Sequence, residues 1–336
     1  MSAQQSRSAT AFAPATVSNV ACGFDVLGFA VAALGDQVTA TVTDRPGISI
    51  RILDGAESSI PLEPRSNTAG VAAATLLEGA GDRVRGRGLE LAIRKGIPPG
   101  SGLGSSAASA VAAVVAGNAA LGLGIDAPRL LAFALEGERI ASGGVLHGDN
   151  VAPCLFGGLV VVRSLDPLDV VPIPVPKGLC CALVRPHIEI RTSESRALLG
   201  STIPLSTAVV QWANVAGLVA GLFRGDWDLI SRSLGDVVAE PVRGPQVPAF
   251  REMKQAALDG GALGSSLSGS GPTVFALCRG AETAERVASA MQRALLAHAG
   301  IAGDCYVSAV GGEGARLVET PAPPTPLSRG ADRCAS

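Results

Sequence analysis

The chain has 336 residues, of which 47% are hydrophobic and 17% charged, and its formal net charge is −2. That length suits two domains or one large one, and the hydrophobic share supplies a full core. The near-neutral balance gives no footing for nucleic acid or an anionic membrane. Seven cysteines without a Cys-x-x-Cys pair, and three scattered histidines, offer no zinc spacing. They point to reduced thiols in a cytoplasmic protein.

The N-terminal residues MSAQQSRSAT contain no apolar stretch of the kind a secretory signal needs, and 1–10 are expected to be flexible. Residues 26–53 alternate like strands, notably Gln37 to Val42 and Ile48 to Leu53. A helix is predicted over 67–80, then a strand from Leu89 to Ile93. Pro98 and Pro99 stop that strand, and the glycines of GIPPGSGLGSSAASA (96–110) let the backbone turn and approach a ligand closely. Ser105 and Ser106 are suited to cap the Ala-rich helix that follows. A glycine-rich loop feeding a helix N-terminus presents bare N–H groups and the positive end of the dipole, which makes an anion site. Neither the Walker pattern nor the dinucleotide fingerprint is met, because no Gly-Lys-Ser/Thr follows and the spacing is Gly-x-Gly-x-Gly.

Residues 126–141 read as a helix with Asp126 as N-cap and Pro128 in its first turn. Leu155 to Val162 reads as a strand, and the proline-rich 165–177 as a crossover. The second half reads as strand Leu179 to Val184, helices at 193–199, 206–222, 226–237 and 247–259, strand Val274 to Leu277, helix 281–298 and strand Tyr306 to Val310. The order is mixed α+β. Residues 320–336 have the composition of a disordered tail. Two apolar stretches approach the length and composition of a membrane span. The first, 107–125, is mostly Ala and Gly and reads as a buried helix; the second, Val209 to Phe223, is too short and carries Gln211 and Asn214.

Three blocks in this order carry a family resemblance: PATVSNVACGFDVLGFAV (14–31), PPGSGLGSSAA (98–108) and GALGSSLSGSGPTVFAL (261–277). The chain resembles the GHMP small-molecule kinases over residues 12–312, and its first block is most similar to the homoserine kinase branch. Ala21-Cys22 stand where that branch has Gly-Pro, and Cys22 reads as a small buried packing residue. The resemblance implies a two-domain fold. Residues 11–170 would form an ATP-binding domain like ribosomal protein S5 domain 2, and 171–319 a ferredoxin-like domain, with the active site between them.

The resemblance also implies roles, which sort into phosphate cradle, metal ligands and substrate clamps, because phosphoryl transfer asks mainly for positioning and charge neutralisation. Pro99, Gly100, Ser101, Gly102, Leu103, Gly104, Ser105, Ser106 and Ala107 would cradle the nucleotide. Lys95 would reach a phosphate or else be a solvated surface lysine, and Asn67 would lie near the adenine or else only cap a helix. Ser106 and Glu138 would hold Mg²⁺, with Glu136 as the competing carboxylate. In HGDN (147–150), Asn150 would hold the accepting hydroxyl and Asp149 stands where relatives place a base; the alternative for both is an Asx-turn. His147 would be a donor in the substrate pocket. Asn19 and Asp25 would take the amine of an amino acid. Arg196 (with Arg191 as competitor) and Arg243 would take its carboxylate, Arg196 acting in catalysis too. Block 264–272 would pack on the cradle or shape the cavity. The reaction implied is ATP plus L-homoserine giving O-phospho-L-homoserine in threonine biosynthesis, in a cytoplasmic enzyme that allows a homodimer. The alternatives are a GHMP kinase for another small alcohol and an inactive GHMP relative that senses a metabolite.

Overall fold

A computed structural model describes residues 7–53, 60–190 and 192–319. The expectations for 320–336 and for Arg191 fall outside these residues, as do 1–6.

The first half is a seven-stranded sheet covered by helices. Its strands are β1 (Ser8–Ser18), β2 (Leu27–Thr43), β3 (Gly47–Ile52), β4 (Gly88–Arg94), β5 (Leu159–Leu165) and β6 (Leu168–Ile173). The seventh, β11 (Arg316–Val318), returns from the far end of the chain to pair with β1. The order is β11-β1-β2-β4-β3, with β5 and β6 branching from β2 at Leu27–Phe29. Among the described residues, only β3 and β4 run parallel. The helices are α1 (Thr68–Ala80), α2 (Ser105–Leu121), α3 (Ala127–Ala141) and α4 (Val151–Phe156). Helix α2 is buried nearly all round, which its Ala, Gly and Ser allow because small side chains let neighbours approach. A Cβ on Gly117 would lie 2.8 Å from Leu76. Asp126 caps α3 as its sequence predicts.

The second half is a four-stranded antiparallel sheet, β10-β7-β9-β8, from β7 (Leu179–Pro186), β8 (Gly264–Leu267), β9 (Val274–Arg279) and β10 (Gly303–Ala309). Its helices are α5 (Thr192–Ala197), α6 (Leu205–Arg224), α7 (Trp227–Ser233), α8 (Glu240–Arg243), α9 (Phe250–Asp259) and α10 (Ala281–Ala299). Strand alternation divides β7 between two cores. Cys180, Ala182 and Val184 pack with Met253 and Met291 of α9 and α10. Cys181 and Leu183 face the core shared with the first half, where Phe29 meets Phe275 edge-on with ring centroids 6.4 Å apart.

Several expectations are corrected. Ser8–Thr10 belong to β1 and not to a loose terminus. Residues 151–156, buried up to Leu155, form α4; Gly157 and Gly158, both at positive φ, turn the chain before β5 begins. A short run buried on all sides carries no period that separates helix from strand. The crossover expected over 165–177 contains β6, which tolerates Pro172 because it lies at the sheet edge. A division at 170/171 therefore cuts a strand bonded to β5. The helix expected over 226–237 ends at Ser233. Helix α6 is 20 residues long and apolar enough to cross a membrane, so its length does not argue against a span. Its inner face does: Gln211 donates to the Cys22 carbonyl (2.7 Å) and Asp236 (3.0 Å), and Asn214 to the Gly235 carbonyl (2.8 Å).

Close backbone contact gives the first stability prediction. A Cβ on Gly28 would lie 1.8 Å from the carbonyl oxygen of Asp149, a backbone atom that cannot swing aside. Gly28→Ala should therefore lower the urea midpoint by an amount equivalent to about 2–3 kcal/mol. Gly200→Ala, where the nearest atom is 3.5 Å away, should stay within about 0.5 kcal/mol of the parent.

Candidate active site

The loop between β4 and α2 is held shut by one buried ion pair. Asp36 is fully buried on β2, and its carboxylate accepts from the backbone N–H of Gly96 (3.0 Å) and Ile97 (3.1 Å), from Ser109 Oγ (2.7 Å) and from Lys95 Nζ. Lys95 Nζ also donates to the Ser105 carbonyl (2.9 Å) and to Ser109 Oγ (2.8 Å). An ammonium has three donors, and all three are engaged. Lys95 is thus neither a solvated lysine nor a hand reaching for phosphate; it ties the two ends of the loop together from beneath. Ser105 Oγ closes the same gap by donating to the Ile97 carbonyl (2.9 Å).

Neither serine caps α2. The N-cap is Gly104 at φ 70°, with no side-chain cap bond, and Ser106 Oγ turns away to Glu138. The first-turn amides are left to a ligand, which is the arrangement an anion needs. Gly104 has no room for a side chain, since a Cβ would lie 2.1 Å from Thr16 Oγ1 and 3.0 Å from Asn150 Oδ1. The loop's other flank is braced by the block at 264–273. A Cβ on Gly102 would lie 2.6 Å from the carbonyls of Ser268 and Gly271. Ser268 Oγ donates to the Gly102 carbonyl and Thr273 Oγ1 to the Ser101 carbonyl, each at 2.6 Å. That block does pack on the cradle.

A cavity of about 460 Å³ opens in front of the loop, and nearly all the sequence-predicted site residues line it. Leu103 and Ala107 are the exceptions; both are fully buried beneath the loop. Asn67 stands in the wall, with Oδ1 capping α1 at Ala69 and Gly70 and Nδ2 donating to the Pro61 carbonyl (2.7 Å). Glu138 faces the cavity from α3, accepting from Ser106 Oγ at 3.0 Å. Its Oε2 is buried with no protein partner, and burial pushes the carboxyl up to about 7. Glu136, two residues earlier, points elsewhere and pairs with Arg139 at 3.0 Å. The helix phase thus separates the two glutamates.

Opposite the loop lies a cluster of charges. Arg196 of α5 grips Asp25 with both guanidinium nitrogens, at 2.8 and 3.2 Å. His147 Nδ1 is 3.4 Å from the same carboxylate, and its Nε2 is buried without a partner. Burial lowers the His147 pKa. Arg243 is buried, donating to the Gly269 carbonyl (3.2 Å) and the Ser195 carbonyl (3.4 Å). Both guanidinium groups lie over the Phe24 ring, 5.5 Å away for Arg196 and 5.2 Å for Arg243. Asn19 is spoken for on both sides: Nδ2 donates to the Gly269 carbonyl and Oδ1 accepts from the Asp25 amide, each at 3.0 Å. Asn19, Val20, Ala21 and Asp25 all adopt positive φ, so the segment between β1 and β2 is a wound loop held by its partners. Cys22 within it is buried and pushed up to about 12, a packing residue as its size suggests.

Between the two ends sit Asp149 and Asn150. Neither forms the Asx-turn that the sequence allows, and Asn150 makes no cap bond to α4. Its Oδ1 accepts from Thr16 Oγ1 (2.8 Å) and its Nδ2 donates to Ser18 Oγ (3.0 Å). Asp149 is buried and pushed up to about 7, first by desolvation and then by Asp25, against bonds from Ser18 and the Asn19 amide. Its Oδ1 has no partner. Thr16, Ser18, Phe24 and Gly269 are site residues that the sequence reading did not single out. All four lie inside the blocks that carry the resemblance, where a small hydroxyl or a glycine carries no charge signal of its own.

The Asp36–Lys95 pair is directly testable. Removing one partner of a buried pair leaves the other uncompensated, which costs about 3–5 kcal/mol. Lys95→Met should lower stability on that scale in urea titration. Where the variant still folds, it should weaken triphosphate binding by calorimetry, although Lys95 has no donor left for phosphate.

Comparison with known proteins identifies the family. The model for the GHMP kinases N terminal domain matches residues 67–158, and that for GHMP kinases C terminal matches 218–297. The homoserine kinase of Chlorobaculum tepidum is 47% identical over 323 residues, which cover 94% of this chain and 99% of that protein. The homoserine kinase of Chlorobium phaeobacteroides is 47% identical over 316 residues, 91% of this chain and 98% of that protein. The crystal structure of homoserine kinase from Cytophaga hutchinsonii superposes with a TM-score of 0.88 at 47% identity, covering 94% of this chain and 98% of that one. Both family models together and relatives at 47% identity over nearly the whole chain show that it belongs to the GHMP kinases and, within them, to the homoserine kinase family.

Proposed function

We propose that the chain transfers the γ-phosphoryl group of ATP to the hydroxyl of L-homoserine, giving O-phospho-L-homoserine and ADP, a step of threonine biosynthesis in the cytoplasm. The observation that carries the choice of substrate is the Asp25–Arg196 pair facing the phosphate loop. An amino acid is itself an ion pair, so it exchanges with this one. Its ammonium replaces the Arg196 guanidinium on Asp25, and its carboxylate replaces Asp25 on Arg196 and Arg243. Neither charge is left bare, which keeps the desolvation cost of binding low. A sugar or an uncharged alcohol leaves the pair as it is and gains nothing from it. The intact set of cradle, Glu138 and Asn150 supports a working enzyme over a metabolite sensor.

The cradle residues 99–107 take the nucleotide's phosphates on backbone N–H groups. Magnesium fits the cavity's chemistry: Glu138 Oε2 is a buried oxygen without a partner, and the Ser106 hydroxyl stands beside Oε1. Ser106 and Glu138 would hold the ion, which would supply charge neutralisation on the transferring phosphates. Asn150, locked by Thr16 and Ser18, orients the acceptor hydroxyl. The transition state is loose, so the hydroxyl proton leaves late. Asp149 Oδ1, buried without a partner and with its pKa raised, takes that proton as the new O–P bond forms.

Two measurements test this reading. Glu138→Gln should lower kcat about a hundredfold and raise the Mg²⁺ concentration needed for half-maximal rate, whereas Glu136→Gln should change neither. Arg196→Ala or Arg243→Ala should reduce kcat/KM for L-homoserine roughly a hundredfold or more with ATP affinity nearly unchanged, and Arg→Lys should recover only part of the loss. Near-parental kcat/KM in both alanine variants, or a preference of the parent for mevalonate or galactose, would overturn the assignment.

A further inference from the structure

Asp236 stands between α7 and α8, outside the cavity wall. Four donors converge on its carboxylate. Oδ1 accepts from the amides of Val238 (2.8 Å) and Ala239 (3.1 Å) and from Gln211 Nε2 (3.0 Å), and Oδ2 accepts from the amide of Glu240 (2.8 Å). The N-cap of α8 is Ala239, which has no polar side chain to offer. Asp236 therefore supplies the oxygens that hold the start of α8, the short helix whose last residue is Arg243. The bonds run on to the opposite end of the clamp. Gln211 is buried; its Nε2 also donates to the Cys22 carbonyl (2.7 Å), and its Oε1 accepts from the Val237 amide (2.9 Å). Cys22 lies in the wound loop that presents Asp25.

Arg243 and Asp25 are thus joined twice. In front, the Gly269 carbonyl accepts from both Arg243 Nη1 and Asn19 Nδ2. Behind, Asp236 and Gln211 tie α8 to the loop. A single shared contact is a pivot, whereas two fix angle as well as distance. Charge agrees with this geometry: burial pulls the Arg243 pKa down, while Asp25 and then Asp236 favour its charged form. We infer that Asp236 is a positioning residue for the amino-acid substrate, acting with Gln211 to set Arg243 at a fixed place relative to Asp25. The inference rests on the proposed clamp, in which Asp25 takes the amine and Arg243 the carboxylate. An α-amino acid carries its two charges at one separation, so both ends of the clamp must be in place together. Neither Asp236 nor Gln211 lines the cavity. Both act through the groups they hold, and both leave the phosphate loop to its own bonds.

The test is Asp236→Asn in the full-length chain, which keeps the shape but turns one acceptor oxygen into a donor that faces another donor. Rates are measured with L-homoserine and with 3-amino-1-propanol, the same amino alcohol without its carboxylate. KM for L-homoserine should rise about tenfold or more, with kcat within about threefold and KM for ATP within about twofold, because lost ground-state binding appears in KM. For 3-amino-1-propanol, which needs only Asp25, kcat/KM should fall less than about threefold. Gln211→Met fills similar space without donors and should split the two substrates in the same way. The double variant should lose no more than the worse single one, since both cut one linkage. Ser231→Ala is the stability control. It removes a 2.7 Å bond to the Leu263 carbonyl and should lower the urea midpoint without moving either KM. Folded Asp236→Asn and Gln211→Met variants that keep the parental KM for L-homoserine overturn the inference. So does an equal loss on both substrates, which marks a merely structural role. A parent that leaves L-homoserine unphosphorylated overturns the proposed function itself, and this inference with it.

Discussion

Everything at the donor end of the site depends on the ion pair between Asp36 and Lys95. A glycine-rich loop is by nature loose, because glycine gives up the most conformational freedom on ordering. Nucleotide binding would have to supply that ordering if the protein did not. Here the two ends of the loop are brought together below it, through the Lys95 bond to the Ser105 carbonyl and the Asp36 bonds to the amides of Gly96 and Ile97. Such a pair does not by itself make the fold more stable, since desolvation offsets much of the attraction. What it contributes is a fixed geometry, and a preorganised loop presents its amides without reorganising when phosphate arrives.

The glycine loop, the charged clamp residues and the family were legible in the sequence because each rests on particular residue types in a set order. Gly100, Gly102 and Gly104 announce positive φ, and all three adopt it. What could not be read was which charge meets which. Lys95 and Asp36 lie 59 residues apart, and only the pairing of β2 with β4 brings them together. The same holds for Glu138 against Glu136, where two glutamates on one helix differ only in phase. Strand β1 escaped notice for another reason. It is Ala-rich, contains Pro14 and is buried at most positions, so it has no alternation to read. Helix α4 was lost in the same way.

The acceptor end is organised around a different principle, that of a loop wound against its preference. Four residues between Asn19 and Asp25 sit at positive φ without being glycine. Each such residue costs on the order of 1 kcal/mol or more, and the conformation persists only when its surroundings over-determine it. Those surroundings come from the second half of the chain: Gln211 of α6 bonds the Cys22 carbonyl and Asn19 bonds the Gly269 carbonyl. The loop that carries Asp25 is therefore held in shape by bonds from the second half of the chain.

The turn at 268–273 holds both ends. Its Ser268 and Thr273 hydroxyls bond the phosphate loop, while its Gly269 carbonyl receives Asn19 and Arg243 from the acceptor side. Misplacing reacting groups by about 1 Å can cost a hundredfold in rate, so a site built across two halves of a chain is exposed to any swaying of one half against the other. Because one turn is hydrogen-bonded to the phosphate loop and to the acceptor side alike, a displacement at either end strains its bonds to the other, and the spacing between the two ends is set in common.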